Sequence, residues 1–199
     1  MTQSIYDALV QTVNREGGLA AVEQLCTHLR EQKDYANLFY AMLVSKRLEL
    51  KVSPVPTESA QSLPESVHAE YEEAIRQTGR TVGELFLAQG DIPRAWAYFR
   101  MIGETGPIAR ALAERELEVE EDPQPLIDIA YHQQIQPRKG FDWILERYGI
   151  CSAITMASGQ EFADPAARVY CIQRLVRADR KSTRLNSSHS AKSRMPSSA

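Results

Sequence analysis

The sequence lacks a cysteine pattern, a long apolar run and a surplus of basic residues, and each absence excludes a class of protein. Its three cysteines, Cys26, Cys151 and Cys171, are widely spaced and contain no C-x-x-C pair, so neither a disulfide scaffold nor a zinc ribbon is indicated. The longest stretches without charge, residues 35–45 and 148–160, are shorter than the ~18 residues that a membrane span needs. We therefore expect a cytoplasmic protein without a membrane segment.

The charge is unevenly distributed along the chain. Four of the 23 basic residues follow Arg180, whereas all 26 acidic residues precede it, which leaves residues 1–180 with 19 basic against 26 acidic side chains, a net charge of −7. That balance disfavours a general phosphate-binding surface, and we expect no nucleic-acid partner. Arginine outnumbers lysine 15 to 4 in the same range, which indicates a GC-rich bacterial genome.

Motifs of known chemistry are also missing. The sequence contains no G-x-x-x-x-G-K-[ST], G-x-G-x-x-G, H-E-x-x-H, G-x-S-x-G or EF-hand pattern, and these mark nucleotide, zinc-protease, hydrolase and calcium sites. None of the four histidines has a second histidine or a cysteine three or four residues away. We expect no catalytic residue, no metal site and no cofactor. An enzyme is not excluded, but a non-enzymatic role is favoured.

One segment, residues 131–143, mixes titratable and aromatic side chains densely. A functional hypothesis makes His132 a proton carrier near Asp142, with Arg138 and Lys139 holding an anionic group. The alternative, which we favour, is an ordinary loop between helices, flanked by aromatic residues of the core. These aromatic residues are Tyr131, Phe141 and Trp143.

Apolar residues recur at helical spacing along the chain, and no segment shows the alternation of a strand. In the first helix we expect Ile5, Leu9 and Val13 to face the core, and Gly17 to end it. Further helices are predicted at 107–118, 124–134, 140–148, 150–158 and 164–177. The sequence therefore predicts an all-α protein of roughly ten helices, in which short joins make consecutive helices antiparallel neighbours.

Proline and serine content divides the chain into four regions. Residues 1–50 are predicted to form N-terminal helical hairpins, and residues 51–64 an extended connector with three prolines. Ser62 and Glu65 have the spacing of a capping box at the start of the next helix. Residues 65–180 are predicted to be a helical-repeat region, and residues 181–199 a disordered tail.

The tail is unlike the rest of the chain. Seven of its 19 residues are serine and none is acidic, so it cannot bury enough apolar surface to offset its ordering entropy. Its first residues, KSTRLNSSHS, resemble translated read-through of sequencing-adapter or linker DNA. This resemblance implies that the native chain was truncated near residue 180. A genuine serine-rich basic tail is the alternative.

The residues from Gly79 to Pro107 have the spacing of a tightly packed helical hairpin. We expect Gly83 and Ala95 to let two helices approach closely, with Phe86 and Phe99 filling the space beside them. We expect Gly90 to form the turn between the helices. The hairpin is predicted to end at Pro107.

This spacing resembles the tetratricopeptide repeat, W-x2-L-G-x2-Y, then A-x3-F, then P, over residues 76–109. Gly79 replaces the tryptophan of the pattern, and Val82 stands in for its leucine. A second copy is not evident, although Ala36 and Tyr40 have the separation of the A-x3-F pair. One repeat cannot bury its own apolar face, so the resemblance implies an array of stacked antiparallel hairpins, or α-solenoid.

What the resemblance implies about function is a scaffold that binds a peptide or partner protein. In that family the first helix of each hairpin lines the binding surface, and its outward positions here are Gln77, Arg80, Glu84 and Leu87. An ordinary solvated helix face is the alternative for each of these residues. The alternative for the whole chain is the N-terminal helical fragment of a larger bacterial enzyme or regulatory protein. Partner identity and oligomeric state do not follow from the sequence.

Overall fold

The computed structural model describes residues 2–55 and 63–191, with side chains for 5–55 and 63–180, and every regular element in these ranges is a helix. The predicted all-α class is therefore confirmed. The elements are α1 (Thr2–Glu16), α2 (Gly18–Glu31), α3 (Tyr35–Glu49), α4 (Glu65–Ala88), α5 (Ile92–Met101), α6 (Gly106–Glu114), α7 (Gln124–Ile127), a π-helical turn (Asp128–His132), α8 (Pro137–Gly159) and α9 (Pro165–Ala191).

The chain divides into two compact units, Met1–Pro107 and Ile108–Ala199. Their boundary falls inside the predicted helical-repeat region 65–180, and the predicted connector 51–64 belongs to the first unit. Residues 51–55 and 63–64 of the connector are not helical. Ser62 of the predicted capping box lies outside the described residues, and α4 begins directly after Pro64.

Two helical hairpins of the first unit, α2–α3 and α4–α5, have turns of the same geometry. Lys33 and Gly90 have positive φ angles of 56° and 77°, so each first helix ends in a left-handed residue. Asp34 and Asp91 follow them. Each aspartate caps the next helix by accepting a hydrogen bond from the backbone N–H three residues later, at 3.2 and 3.0 Å. A shift of 57 residues, the distance from Lys33 to Gly90, therefore relates the two turns.

Glycine allows α4 and α5 to approach closely. A Cβ atom at Gly83 would lie 2.7 Å from Cε2 of Phe99, and one at Gly79 would lie 2.9 Å from Cγ2 of Ile102. The side chains around this contact are almost completely buried. They are Val82, Phe86, Ala95 and Phe99. Gly90 forms the turn, and Pro107 is the second residue of α6.

One packing expectation for the first unit is wrong. Val13 is 49% exposed, because α1 packs on α2 and the contact covers only part of its circumference. Ala36 is exposed and Tyr40 is 66% exposed, so neither is a packing residue of a second repeat. The Asp34 cap fixes the helical register and turns Leu38 inward, and at ~100° per residue positions 36 and 40 then point outward.

Three segments of the second unit are less regular than the sequence predicts. Helix α6 ends at Glu114, four residues before the predicted end, where successive acids oppose the helix dipole. The predicted helix 124–134 is instead α7 followed by the π-helical turn. Helix α8 is interrupted at Gly149, whose φ is 79°. That break separates the two helices predicted at 140–148 and 150–158.

The π-helical turn packs against the start of α8. A Cβ atom at Gly140 would lie 2.8 Å from both the backbone nitrogen and Cβ of Tyr131, so only glycine fits there. Tyr131, Phe141 and Trp143 are all at most 2% exposed. The favoured interpretation of this segment, in which its aromatic residues form core, is therefore confirmed.

Helix α9 is held on α8 by a polar cluster around Asp142. Tyr170 donates a hydrogen bond of 2.6 Å to one carboxylate oxygen, and Arg174 donates one of 2.6 Å to the other. The backbone of α9 continues to Ala191, whereas the sequence predicts disorder from Lys181. Extending an existing helix avoids the unfavourable nucleation step. Residues 192–199 lie outside the described residues.

Candidate functional site

The first unit contains a groove of about 720 Å³ that is formed by three successive helices. We call it the α2–α4 groove. Helix α2 contributes Glu23, Cys26, Thr27 and Arg30; α3 contributes Met42, Ser45, Lys46 and Glu49; and α4 contributes Glu70, Glu73, Ala74, Gln77, Thr78 and Thr81.

The less exposed lining residues of the groove are mainly small, and the charged ones are mostly exposed. Thr78 is buried, and Cys26, Ser45 and Ala74 are half-buried. Burial raises the pKa of the Cys26 thiol, which favours its neutral form. Side chains of this size leave the helix surfaces uncovered, so a ligand can reach them.

One ion pair of the groove joins α3 to α4, and two others lie within a single helix. Nζ of Lys46 lies 2.7 Å from Oε1 of Glu70 on α4 and 3.2 Å from Oε2 of Glu49 on its own helix. Hydrogen bonds to Glu70 and Glu49 raise the pKa of Lys46. Hydrogen bonds from Arg76 and Gln77 lower the pKa of Glu73. With four glutamates against one lysine and one arginine, the lining has a surplus of negative charge.

Of the four outward residues selected from the sequence, one lines the α2–α4 groove. Gln77 lines the groove and donates a hydrogen bond of 3.2 Å to Glu73. Arg80 instead forms an ion pair with Glu104, beyond the end of α5, and bonding between the two raises the pKa of Arg80 and lowers that of Glu104. Glu84 is exposed and Leu87 is half-buried, and neither lines the groove.

Sequence reasoning missed the contribution of α2 and α3 to this site. The available signal was a succession of small residues on α4, Ala74 and Thr78, at positions i and i+4 of one helix face. Small residues on one helix face are expected both where two helices pack closely and where a groove is open. Only the placement of the neighbouring helices distinguishes the two.

The segment around His132 does not assemble into an anion site. A ring nitrogen of His132 lies 3.4 Å from Gln160, whereas Asp142 binds Tyr170 and Arg174 of α9. Arg138 lies 3.8 Å from a carboxylate oxygen of Asp164, and Lys139 lies 2.6 Å from one of Glu116. Each charged group of the segment therefore has a different partner, which removes the basis for a shared proton or anion site.

Among the described side chains of the second unit, the hydroxyl of Tyr131 and Nε1 of Trp143 are buried without a hydrogen-bond partner. Burial raises the pKa of Tyr131, so the hydroxyl stays protonated. Nearby Cys171 is also buried, and burial raises its pKa to about 11. A protonated thiol is a poor nucleophile, so these groups belong to a core and not to a reactive site.

Within residues 2–55 and 63–191, no group of three or more His, Cys, Asp or Glu residues is placed to hold a metal ion. None of the helices in the same ranges is long and apolar enough to cross a membrane. Comparison with known proteins gives no assignment, since no protein-family model, no curated protein and no solved structure matches the chain.

Proposed function

We propose that this protein is an interaction scaffold whose α2–α4 groove binds a peptide segment of another protein. The observation that carries the proposal is the groove itself, an open volume of about 720 Å³ with small residues among its less exposed lining. Volumes of several hundred Å³ are typical of ligand sites in proteins. The lining contains no catalytic constellation, which favours binding over chemistry.

The paired hairpins support a helical-repeat arrangement of the tetratricopeptide type. Helices α2 and α4 are the first helices of hairpins that share one turn geometry, and both line the groove. In that family the first helices of successive hairpins form the binding surface. The presence of two such first helices in the lining supports the proposal, and α3 lines the groove between them.

The length of the groove sets the length of the peptide. The α4 residues of its lining extend from Glu70 to Thr81, which is ~16 Å along a helix that rises ~1.5 Å per residue. An extended peptide advances ~3.3 Å per residue. About five residues therefore span the groove.

The charge of the lining sets the preferred composition of the peptide. Glu73 of α4 is paired with Arg76 of its own helix, whereas Glu23 of α2 has no ion pair among the described residues. A lysine or arginine of the peptide gains a carboxylate partner there. We therefore expect basic peptides to bind more tightly than acidic ones, and the preference to weaken with salt.

The test is selection of a random peptide library displayed on phage against the full chain, followed by titration of a synthetic copy of the enriched peptide. Ala74→Arg fills the groove from α4 and is expected to raise the Kd at least tenfold. Ala97→Arg adds the same side chain to an exposed position of α5, outside the lining, and is the matched control. The control is expected to bind as the wild type does.

Two outcomes contradict the proposal. One is a selection that enriches no peptide. The other is an enriched peptide whose Kd is the same for the wild type and for Ala74→Arg. Circular dichroism of both variants checks that each remains helical.

A further inference from the structure

Helix α9 exposes an apolar stripe on the side opposite its most buried residues. Val169, Ile172 and Val176 are 53%, 51% and 47% exposed, and their i, i+3, i+7 spacing places them on one face. Ala167 and Cys171 occupy the opposite face and are fully buried. A helix with apolar residues on two opposite faces typically packs against a neighbour on each of them. We call the exposed apolar face of α9 the α9 stripe.

Positive charge borders the α9 stripe. Arg168 lies beside it, and Arg180 follows Val176 by one helical turn, with both side chains exposed, while the exposed Asp179 contributes one negative charge at the same end. Arg168 and Ile172 also line a groove of about 190 Å³ between α8 and α9. The surface therefore favours an apolar side chain that is flanked by carboxylates.

The same unit presents a segment with that composition. Residues 116–122, which we call the acidic loop, read E-L-E-V-E-E-D, and Val119 at its centre is 87% exposed. Arg147 of α8 donates hydrogen bonds to the backbone carbonyls of Glu118, Val119 and Glu121. Arg115 also holds the Glu121 carboxylate at 2.7 Å. The loop is thus fixed with its apolar tip outward, so docking requires little ordering of the loop.

We infer that the α9 stripe is an interface between two copies of this chain, and that its occupant is the acidic loop of the second copy. Val119 packs against Ile172 and Val176 of the other copy, while Glu118 and Glu120 approach Arg168 and Arg180. Because both surfaces belong to one unit, a two-fold dimer makes the contact twice, as isologous interfaces do. The inference is independent of the peptide groove in the first unit.

The test is sedimentation of the full chain over a range of concentrations at low and high salt. The wild type is expected to dimerise, with a Kd that increases at least tenfold in Val119→Asp and in Ile172→Asp. Added salt is expected to weaken the dimer because exposed charge pairs are screened. Val13→Asp changes a side chain of the first unit whose exposure, 49%, is close to the 51% of Ile172, and this matched control is expected to leave the Kd unchanged.

Mixing the two defective variants tests the pairing directly. Val119→Asp keeps an intact α9 stripe and Ile172→Asp keeps an intact acidic loop, so a mixture regains one contact and is expected to dimerise more strongly than either variant alone. A wild type that stays monomeric overturns the inference. So does a dimer that Val119→Asp does not weaken, or one that Val13→Asp weakens equally. Thermal unfolding of each variant excludes loss of folding as the cause.

Discussion

Helix propensity and tertiary packing predict opposite effects on stability when Gly83, at the α4–α5 contact, is replaced by alanine. Helix propensity alone predicts that glycine to alanine inside a helix stabilises a protein by about 1 kcal/mol. Tertiary packing predicts the reverse, because the new Cβ would lie 2.7 Å from Cε2 and 2.9 Å from Cδ2 of Phe99. Phe99 is fully buried and cannot turn into solvent.

The expected change in the free energy of unfolding is the difference between the packing cost and the gain in helix propensity. Overpacking a core by one methyl group costs about 1–3 kcal/mol, and the gain in propensity offsets about 1 kcal/mol of it. We expect Gly83→Ala to lower the free energy of unfolding by about 1 kcal/mol, which for a unit of this size lowers Tm by about 4 °C. The free energy of unfolding is measured by urea denaturation followed by circular dichroism, and Tm by a thermal scan.

Two further variants make the test specific. Gly18→Ala also adds a Cβ to a glycine within a helix, but its nearest contact is an ordinary 3.7 Å to Leu48. This control is expected to be neutral or stabilising. Adding Phe99→Leu to Gly83→Ala gives the methyl group room, so the double variant is expected to lose less stability than the sum of the two single changes. A Gly83→Ala protein that is more stable than the wild type by about 1 kcal/mol refutes the close contact.

Three other changes are predicted from the same structure. Lys33→Gly removes a non-glycine residue from a left-handed turn and is expected to stabilise the first unit by about 0.5–1 kcal/mol, while Gly90→Ala at the equivalent turn destabilises it by a similar amount in urea denaturation. Gly140→Ala pushes a Cβ into the backbone of Tyr131, which cannot move aside, so we expect a loss of about 2 kcal/mol and an earlier thermal transition. The Cys171 pKa is raised from 9.0 to about 11, so the folded state holds this proton more tightly. The contribution of the protonated Cys171 thiol to stability is complete below pH 9 and is lost as the pH rises through about 11. The thiolate absorbance of a Cys26→Ser, Cys151→Ser protein, followed against pH, checks this pKa.

The α2–α3 and α4–α5 turns share a backbone geometry that their flanking side chains do not reveal. Asp34 and Asp91 each cap the helix that follows the turn. In the helix before the turn, Cys26 lies seven residues before Lys33, whereas glycine, Gly83, lies seven residues before Gly90. The turn geometry is therefore shared although the packing residues at matching positions differ.

The sequence by itself determined the all-helical class, the helix ends at Gly17, Gly90 and Gly149, and the core positions of the α4–α5 hairpin. These features are local, because helical spacing, capping and the positive φ of glycine involve residues only a few positions apart.

Only the tertiary structure decided which faces are covered. Val13 and Ile172 have apolar side chains at helical spacing, yet both are about half exposed. The α2–α4 groove joins residues from Glu23 to Thr81 on three helices, and the partners of His132, Arg138 and Lys139 lie more than twenty residues away along the chain. Such placements depend on how helices pack against each other, and the periodicity of a single helix contains no information about its neighbours.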